Sequence, residues 1–431
     1  MAANIFILGL DEFQLGELQT IRKADERVFH NLLDVDRLTM HGAGYSFKRL
    51  LEEARQQLEC FPGSIDAVIA HWDFPTSIIA PVLCREYEIA SPSLESVLKC
   101  EHKYWSRLEQ QKVIPGCIPG FNSFDPFDAN ALERIELEFP FWIKPVKSFA
   151  SQLGFKIHDV REFQEALAEI QGAIGDIGGP FDEALTLIEL PEEIRGCSGR
   201  MCIAEEIIAG EQFAIEGSMF QGEYQVHGAL DMPKDAAGRS FERYDYPSAL
   251  PERVQRRMID SCGKFLRHIG FDNGCFNAEY LWEKESDKLR LVEINTRISQ
   301  SHSDLFAKVD GMSNHEVAID VALGTRPRMP HREGKFRIAA KCMIPHYEDG
   351  IVTRVPSRQE LAQIEERFPD THVQIDVEPG RRLAELPNQD SYRYVLGTIF
   401  LGADSREQLL DRLDTCLDTL QFEFTPAADS P

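Results

Sequence analysis

The stretch LRLVEINTRISQSHSD, residues 289–304, carries polar groups at a spacing that suits chemistry. Glu293, Asn295 and Arg297 alternate at the end of an apolar run. Side chains of a strand alternate between its two faces, so Glu293 and Asn295 share one face. Carboxylate and amide oxygens suit hard divalent cations, and a guanidinium suits anionic oxygens. The pattern predicts a site that holds a cation, with Arg297 beyond it to meet an anion.

A second apolar run, GCFNAEYLWE, lies just upstream, and KESD between the two runs is a plausible turn. A hairpin centred near Ser286 would place Glu279 opposite Glu293 and Asn277 opposite Asn295. Two carboxylates side by side destabilise a sheet unless a cation lies between them. Because proteins hold Mg²⁺ with one or two carboxylates plus substrate phosphates, Glu279, Glu293 and Asn295 are predicted metal ligands. An exposed sheet end with solvated acids has the same pattern.

Two further segments could bind a nucleotide. Lys144 lies in FPFWIKPVKSFASQLGF, where it follows an apolar strand and precedes a Ser/Gly loop whose amides could bind phosphate. In RMCIAEEIIAGEQFAIEG, a strand runs into acidic residues and then Gly210 and Glu211. The backbone there could hydrogen-bond adenine, and Glu211 the ribose. A surface lysine and an ordinary strand connection are the alternatives, since the sequence contains neither GxxxxGK[ST] nor GxGxxG.

The overall charge narrows the function classes. The 431 residues carry a formal net charge of −25, which repels phosphate backbones and anionic lipid. We therefore expect no nucleic-acid partner and no membrane partner. The ten cysteines include no CxxC pair, and several lie in apolar surroundings where a reduced thiol behaves as a small hydrophobe. The sequence predicts a reduced, cytoplasmic chain.

The elements that must position these residues are also readable. NIFILGL and DAVIAHWD are short apolar strands separated by the helical pattern of SFKRLLEEARQQLECF, so a doubly wound βα domain is predicted for residues 1–95. One or two helices follow in SPSLESVLKCEHKYWSRLEQQKVIPG, before mixed α+β structure to residue 330. GAIGDIGGPFDE and DMPKDAAGRSFERYDYPSALPE are predicted loops. A small α+β lobe over 331–431 follows the proline-rich GTRPRMPHREGK.

The order of these motifs resembles the ATP-grasp superfamily. A lysine in a helix, a lysine before a Ser/Gly loop, an acidic connection with Gly-Glu, and then Glu…Glu-x-Asn-x-Arg occur over roughly residues 95–330. VEINTR, residues 292–297, is the most specific element. The resemblance implies α/β and α+β structure with a doubly wound N-terminal domain (1–95), a two-lobed nucleotide-binding centre (96–330) and a small C-terminal lobe (331–431).

The resemblance also implies roles for individual residues. Arg297 would stabilise the transferring phosphoryl group, and Mg²⁺, or Mn²⁺ in its place, would be held by Glu279, Glu293 and Asn295. The implied ATP-binding residues are Lys103, Lys144, Ser151, Gly154, Glu205, Glu206, Ile207, Ile208 and Glu211. The loop KSFASQLG departs from the family pattern in its fewer glycines and one extra residue between Ser and Gly. Loops 145–154 and 172–182 are expected to act as lids that exclude water.

The implied reaction is ATP-dependent ligation of a small carboxylate, an amino acid, to an amine, with ADP and phosphate as products. An amine cannot displace oxide from a carboxylate, but it can displace phosphate once the carboxylate has been phosphorylated. The protein's part is to position the reacting groups and neutralise their charge. Tyr244, Tyr246, Ser248, Ser301 and His302 are predicted to lie near the acceptor, with His302 equally suited to a structural role. Biotin-carboxylase-like carboxylation and non-catalytic ATP binding are the alternatives. The expected partners are small molecules, and a homodimer is left open.

Overall fold

A computed structural model describes residues 2–39, 45–148, 153–235, 238–386 and 392–426. The N-terminal part is a three-stranded parallel sheet in the order β2-β1-β3 with helices around it, as predicted. Its elements are β1 Ala3–Leu8, α1 Glu12–Thr20, β2 Arg27–Leu32, α2 Val35–Thr39, α3 Phe47–Glu59, β3 Ala67–Ala70 and α4 Thr76–Glu86. Parallel strands bring their carboxyl ends to one edge of the sheet, so residues just after β3 meet the rest of the chain there.

Two helices and a four-stranded sheet form the next unit. The predicted helical region divides into α5 and α6 at His102, whose side chain accepts a hydrogen bond from Trp105 N at the start of α6. The strands pair antiparallel in the order β4-β7-β5-β6. The elements are α5 Leu94–Glu101, α6 Lys103–Val113, β4 Phe121–Phe124, β5 Phe141–Pro145, β6 Phe155–Ile157, α7 Val160–Leu185, α8 Glu192–Arg195 and β7 Cys202–Glu206.

The prediction of a loop and lid over 172–182 is wrong, because these residues lie inside the long helix α7. Apolar residues recur along it every three or four positions and are buried: Phe163, Ala166, Ile170, Ile174, Ile177, Phe181 and Ala184. At Gly178 an added Cβ would lie 2.5 Å from the Gly199 carbonyl oxygen, so this glycine allows a close approach between two backbones. Burial of one helical face outweighs the low helix propensity of the glycines.

A long antiparallel sheet of eight strands forms the rest of the core. Its order is β12-β11-β8-β9-β10-β13-β16-β15, and β10 lies within a segment predicted as loop. Helices pack against it. The elements up to the proline-rich segment are β8 Glu211–Phe220, β9 Glu223–Asp231, β10 Arg243–Tyr246, α9 Glu252–His268, β11 Gly274–Glu283, β12 Lys288–Asn295, α10 Ser303–Asp310 and α11 Asn314–Ala322.

The C-terminal elements continue the same sheet past residue 330, because β10 pairs with β13. A separate pair, β14-β17, completes this part. The elements are β13 Ile338–His346, β14 Gly350–Arg354, α12 Arg358–Arg367, β15 His372–Ile375, β16 Tyr394–Ala403, α13 Arg406–Thr419 and β17 Glu423–Pro426. Among the residues described, no helix has the length and apolar content needed to cross a membrane.

Candidate functional site

The hairpin of β11 and β12 has the predicted register. Glu279 pairs with Glu293, and Asn277 pairs with Asn295. A register irregularity follows Glu279, so the strand pairing shifts beside the two carboxylates. Bulges of this kind re-aim side chains and are frequent near functional sites. The two carboxylates therefore lie side by side at the end of a buried hairpin.

The surroundings of Glu279 favour a cation. Burial, followed by the nearby charge of Glu293, raises the pKa of Glu279 to about 7. Gln212 Nε2 donates to Glu279 Oε2 at 2.7 Å. Two facing carboxylates resist being ionised together, and a divalent cation relieves that repulsion. The oxygen-only set of Glu279, Glu293 and Asn295 thus fits Mg²⁺ or Mn²⁺.

Lysines converge on these carboxylates. Lys103 Nζ lies 3.7 Å from Glu293 Oε2 and donates to the Ser148 carbonyl oxygen at 2.7 Å. Burial, opposed by the charge of Glu293, lowers the pKa of Lys103 to about 8, and nearby Lys147 and Lys144 lower it further. Lys147 itself forms a buried ion pair with Glu101. In a chain with a net charge of −25, this region brings three lysines together, each beside a carboxylate, where phosphates could be attracted.

Glu205 connects three elements beneath this region. Its carboxylate accepts from Arg107 Nε at 2.6 Å and lies 2.6 Å from Lys144 Nζ. Arg107 also donates to the carbonyl oxygens of Leu291 and Val292 on β12. Burial raises the pKa of Glu205, but Arg107 and Lys144 outweigh it and hold the value at about 2. Glu205 thus fixes Lys144 and ties the small sheet to the hairpin.

Replacing Glu205 with alanine is expected to lower the free energy of unfolding by about 3–5 kcal/mol, because Arg107 would be left buried and without its carboxylate. Denaturant unfolding measures this change, with Glu165→Ala as the control, since Glu165 forms an exposed pair with Arg161. The folded-state pKa of Glu205 is depressed, so its contribution is full above the ordinary value of 4.5 and is lost as pH falls toward about 2. Equal losses in the two variants would contradict this assignment.

Arg297 follows β12 and faces the N-terminal sheet. Its Nη2 donates to Asp73 Oδ2 at 2.8 Å, and Nη1 donates to the Ile298 carbonyl oxygen at 3.3 Å. Asp73 lies just after β3, where the parallel strands end. Burial raises the pKa of Asp73, but Arg297 outweighs it, so the pKa lies below its usual range. The pair joins the N-terminal domain to the hairpin carboxylates.

The connection between β7 and β8 leaves only part of the predicted adenine segment open. Glu205 lies in β7 between β4 and β5, and its backbone is paired there. Glu206 N–H donates to the Gly120 carbonyl oxygen, and Gly120 N–H donates to the Glu206 carboxylate. This strand pairing makes Glu205 the least accessible part of the predicted adenine segment, whose role stays a prediction. Ile207 and Ile208 lie outside the strands and are half-buried.

Backbone geometry fixes the end of this connection. Gly210 has φ +119°, and an added Cβ would lie 2.4 Å from the Trp282 carbonyl oxygen. Only glycine suits such a position. Exposed Glu211 then begins β8. On the phosphate side, Gly154 precedes β6, whereas residues 149–152 of the predicted lid 145–154, Ser151 among them, lie outside the described residues.

The predicted acceptor residues fall into two groups. Tyr246 is 1% exposed and donates to Asp310 Oδ2 at 2.6 Å, so it does not fit contact with a substrate. His302 is also buried and shares a 2.8 Å hydrogen bond with Glu216 Oε2, which favours its structural role. Ser301 is half-buried and accepts from Lys341 Nζ at 3.0 Å. Burial raises the pKa of Tyr244, and the nearby charge of Glu279 raises it further, so the two side chains lie close together.

Four residues of the site were missed by the sequence reasoning: Asp73, Arg107, Lys147 and Gln212. The sequence contains a local signal for two of them, Arg107 and Asp73. Arg107 lies four residues after Lys103 in a helix, hence on the same face, and Asp73 ends a strand of a parallel sheet. Ser248, which was predicted near the acceptor, donates a hydrogen bond from Oγ to Asp231 Oδ1 at 2.5 Å.

Comparison with known families agrees with this geometry. Residues 137–303 match the sequence model of the ATP-grasp domain. The chain carries an ATP-grasp domain. The predicted resemblance and fold class are thereby confirmed, and the matched region contains the hairpin, Lys144, Glu205 and Arg297.

Solved structures show the same fold along the chain. The L-amino acid ligase from Bacillus licheniformis superposes with a TM-score of 0.74 at 16% identity, over 98% of this chain and 99% of that one. A biotin carboxylase from Campylobacter jejuni gives a TM-score of 0.66 at 16% identity, over 99% and 93%. At these identities the likeness establishes fold alone, so this chain shares its architecture with these two proteins.

Curated relatives in sequence are more distant. The carbamoyl phosphate synthase large chain of Acidobacterium capsulatum is 28% identical over 111 residues, which is 26% of this chain and 10% of that protein. The uncharacterized protein y4rH of Sinorhizobium fredii is 20% identical over 355 residues, 80% of this chain and 66% of that protein. The chain thus spans less than two thirds of either relative.

Proposed function

We propose that this ATP-grasp chain is an ATP-dependent ligase that activates a small carboxylate, an amino acid, as an acyl-phosphate and joins it to an amine. ADP and phosphate would be released. The observation that carries the proposal is the pairing of Glu279 with Glu293, with Lys103 Nζ 3.7 Å from Glu293 and Arg297 two residues past the end of β12. A carboxylate pair combined with lysine and arginine suits transfer of a phosphoryl group to an anionic acceptor.

The nucleotide would lie between the small sheet and the hairpin. Lys103, Lys144 and Lys147 are the cations near one another that would bind the phosphates. The backbone of Ile207 and Ile208 would meet adenine, and exposed Glu211 the ribose hydroxyls. Glu205 supports this arrangement indirectly, since it orients Lys144 at 2.6 Å.

A divalent cation fits the facing carboxylates. Glu279, Glu293 and Asn295 would hold Mg²⁺, or Mn²⁺ in its place, because burial and mutual repulsion disfavour two bare charges there. When bound, the ion would neutralise phosphate charge. Arg297, held by Asp73 at 2.8 Å, would orient its guanidinium toward the oxygens of the transferring group. Tyr244 and Ser301 remain the proposed acceptor residues.

Lys144→Ala is expected to raise the apparent KM for ATP and lower kcat, because the lysine would touch phosphates in both ground and transition states. Nucleotide affinity measured by calorimetry, together with steady-state rates, checks this result. Lys156→Ala is the control, since Lys156 is exposed on the neighbouring strand β6. Nucleotide affinity equal to that of the parent would remove Lys144 from the phosphate site.

A screen of amino-acid pairs tests the proposed activity. Each pair is incubated with ATP and Mg²⁺, phosphate release is measured, and the product is identified by mass. A ligase releases phosphate only with its own substrates and yields a product whose mass is that of the pair less one water. Release that requires bicarbonate and biotin would instead support carboxylation. Tight ATP binding without release under any condition would support a non-catalytic binder.

The cellular setting belongs to the same proposal. All ten cysteines are free thiols, and most are buried. This is consistent with the predicted reducing, cytoplasmic environment. Small-molecule partners and a homodimer also remain predictions.

A further inference from the structure

A cavity lies away from the proposed nucleotide site, between the N-terminal domain and the long sheet. Helix α1, the start of α10 and strands β15 and β16 enclose a volume of about 460 Å³. Ligand pockets typically have volumes of about 300–1,000 Å³. The lining includes none of the residues assigned above to nucleotide or metal. The cavity is therefore large enough for a small organic molecule and is separate from the reaction site.

The walls of this cavity are acidic. Glu12, Glu17 and Asp304 line it, and its described lining residues include no lysine or arginine. Lys308 lies 2.5 Å from Asp304 Oδ1 and His315 Nε2 lies 3.4 Å from Glu17 Oε2, so Glu12 is the lining carboxylate without an ion pair among the described residues. Asp304 Oδ2 is buried and has no hydrogen-bond partner among the described residues. The cavity thus presents excess negative charge.

Aromatic rings form the other side. Phe13 lies 5.6 Å from His372 and 6.5 Å from Phe400, centroid to centroid, and His372 lies 6.1 Å from Phe400. Phe13 is 37% exposed although its ring is large and apolar. Faces of aromatic rings attract cations, most strongly organic ammonium groups that also bring apolar surface. An exposed ring beside carboxylates is the arrangement that recognises such a ligand.

We propose that this cavity, hereafter the α1–α10 cavity, binds a small organic ammonium compound that carries an apolar group. Lys341 Nζ already lies over the Phe400 ring, 5.5 Å from its centroid. The carboxylates would therefore meet the ammonium, and Phe13 and His372 the apolar part. A metal ion fits less well, since the three lining carboxylates Glu12, Glu17 and Asp304, all within the described chain, do not converge as a ligand group. The site would be occupied independently of ATP.

Calorimetry with benzylammonium as the probe and the full chain tests this site. Benzyl alcohol, similar in shape and uncharged, is the matched ligand. Glu12→Gln and Phe13→Ala are the test variants, because both residues are exposed on α1 and their loss should leave the fold intact. Glu285→Gln is the control, since Glu285 is exposed in the turn between β11 and β12.

We expect benzylammonium to bind at least about tenfold tighter than benzyl alcohol, and each test variant to weaken it about fivefold. Added salt should weaken binding, and saturating ATP should leave it unchanged. The Glu285→Gln variant should bind like the parent. Equal affinity for the alcohol, unchanged binding in both α1 variants, or displacement by ATP would overturn the proposal. These binding measurements do not depend on ligase activity.

Discussion

Replacing Arg297 with lysine is expected to lower turnover about 30-fold to 1,000-fold while leaving ATP affinity nearly unchanged. The guanidinium would meet charge that grows as the phosphoryl group passes to the carboxylate, and lysine cannot reproduce a two-pronged contact. The loss corresponds to roughly 2–4 kcal/mol, the scale for one preorganised charge-stabilising donor. Lysine would keep a positive charge near Asp73, which now accepts from Arg297 at 2.8 Å.

The effects of Arg297→Lys on turnover and on ATP affinity are separated by measuring phosphate release and ATP Kd on the same preparation. Arg290→Lys is the matched control, because Arg290 lies on β12, seven residues before Arg297, but donates to the Gly116 carbonyl oxygen away from the carboxylates. A non-catalytic binder would show weaker ATP affinity and have no turnover to lose. Unchanged turnover in Arg297→Lys would remove Arg297 from the list of catalytic residues.

Glu293→Gln is expected to reduce turnover at least ~100-fold and leave folding intact. The substitution keeps the side-chain shape but removes a charged oxygen ligand for the divalent cation, and with it charge stabilisation in the transition state. Folding should survive because the Glu293 side chain is 38% exposed and its ion pair with Lys103 is long, at 3.7 Å. The unfolding midpoint checks that folding is intact, and steady-state rates over a range of Mg²⁺ concentrations check the loss of turnover.

Glu283→Gln is the control for that experiment, since Glu283 lies at the far end of the same hairpin, opposite Lys288. It should turn over like the parent. Near-normal turnover of Glu293→Gln at saturating Mg²⁺ would contradict the metal assignment. A loss that high Mg²⁺ fully restores would mean that Glu293 serves affinity for the ion alone.

The hairpin shows how far local sequence rules reach. Alternation and the KESD turn predicted that Glu279 faces Glu293, and the structure has this pair. The turn alone sets Glu283 opposite Lys288 and would place Glu279 opposite Val292, so the pairing also depends on the register shift next to Glu279, which no local pattern predicts. The helices before β4, the parallel N-terminal sheet and the terminal helix α13 were predicted for similar reasons. Each depends on a periodic apolar pattern bounded by turn or capping residues.

Contacts between distant segments could not be predicted in this way. Asp73 meets Arg297 across 224 positions, and Arg107 meets Glu205 across 98. Neither pair leaves a local pattern in the sequence, since only the packing of the N-terminal, four-stranded and long sheets brings the partners together. The burial of Tyr246 could not be predicted for a related reason, because its packing against Phe306 depends on where α10 lies. The glycines of α7 misled the loop prediction, because tertiary burial outweighed propensity.

Transfer of oxygen-18 from a labelled carboxylate substrate into the released phosphate tests acyl-phosphate formation most directly. The substrate pair found in the screen is supplied with both carboxylate oxygens of the acyl donor labelled, and the phosphate is analysed by mass. Attack of the carboxylate on ATP, followed by displacement by the amine, predicts one labelled oxygen in each phosphate formed. Phosphate free of label, with the amide product forming at the normal rate, would contradict the proposed reaction.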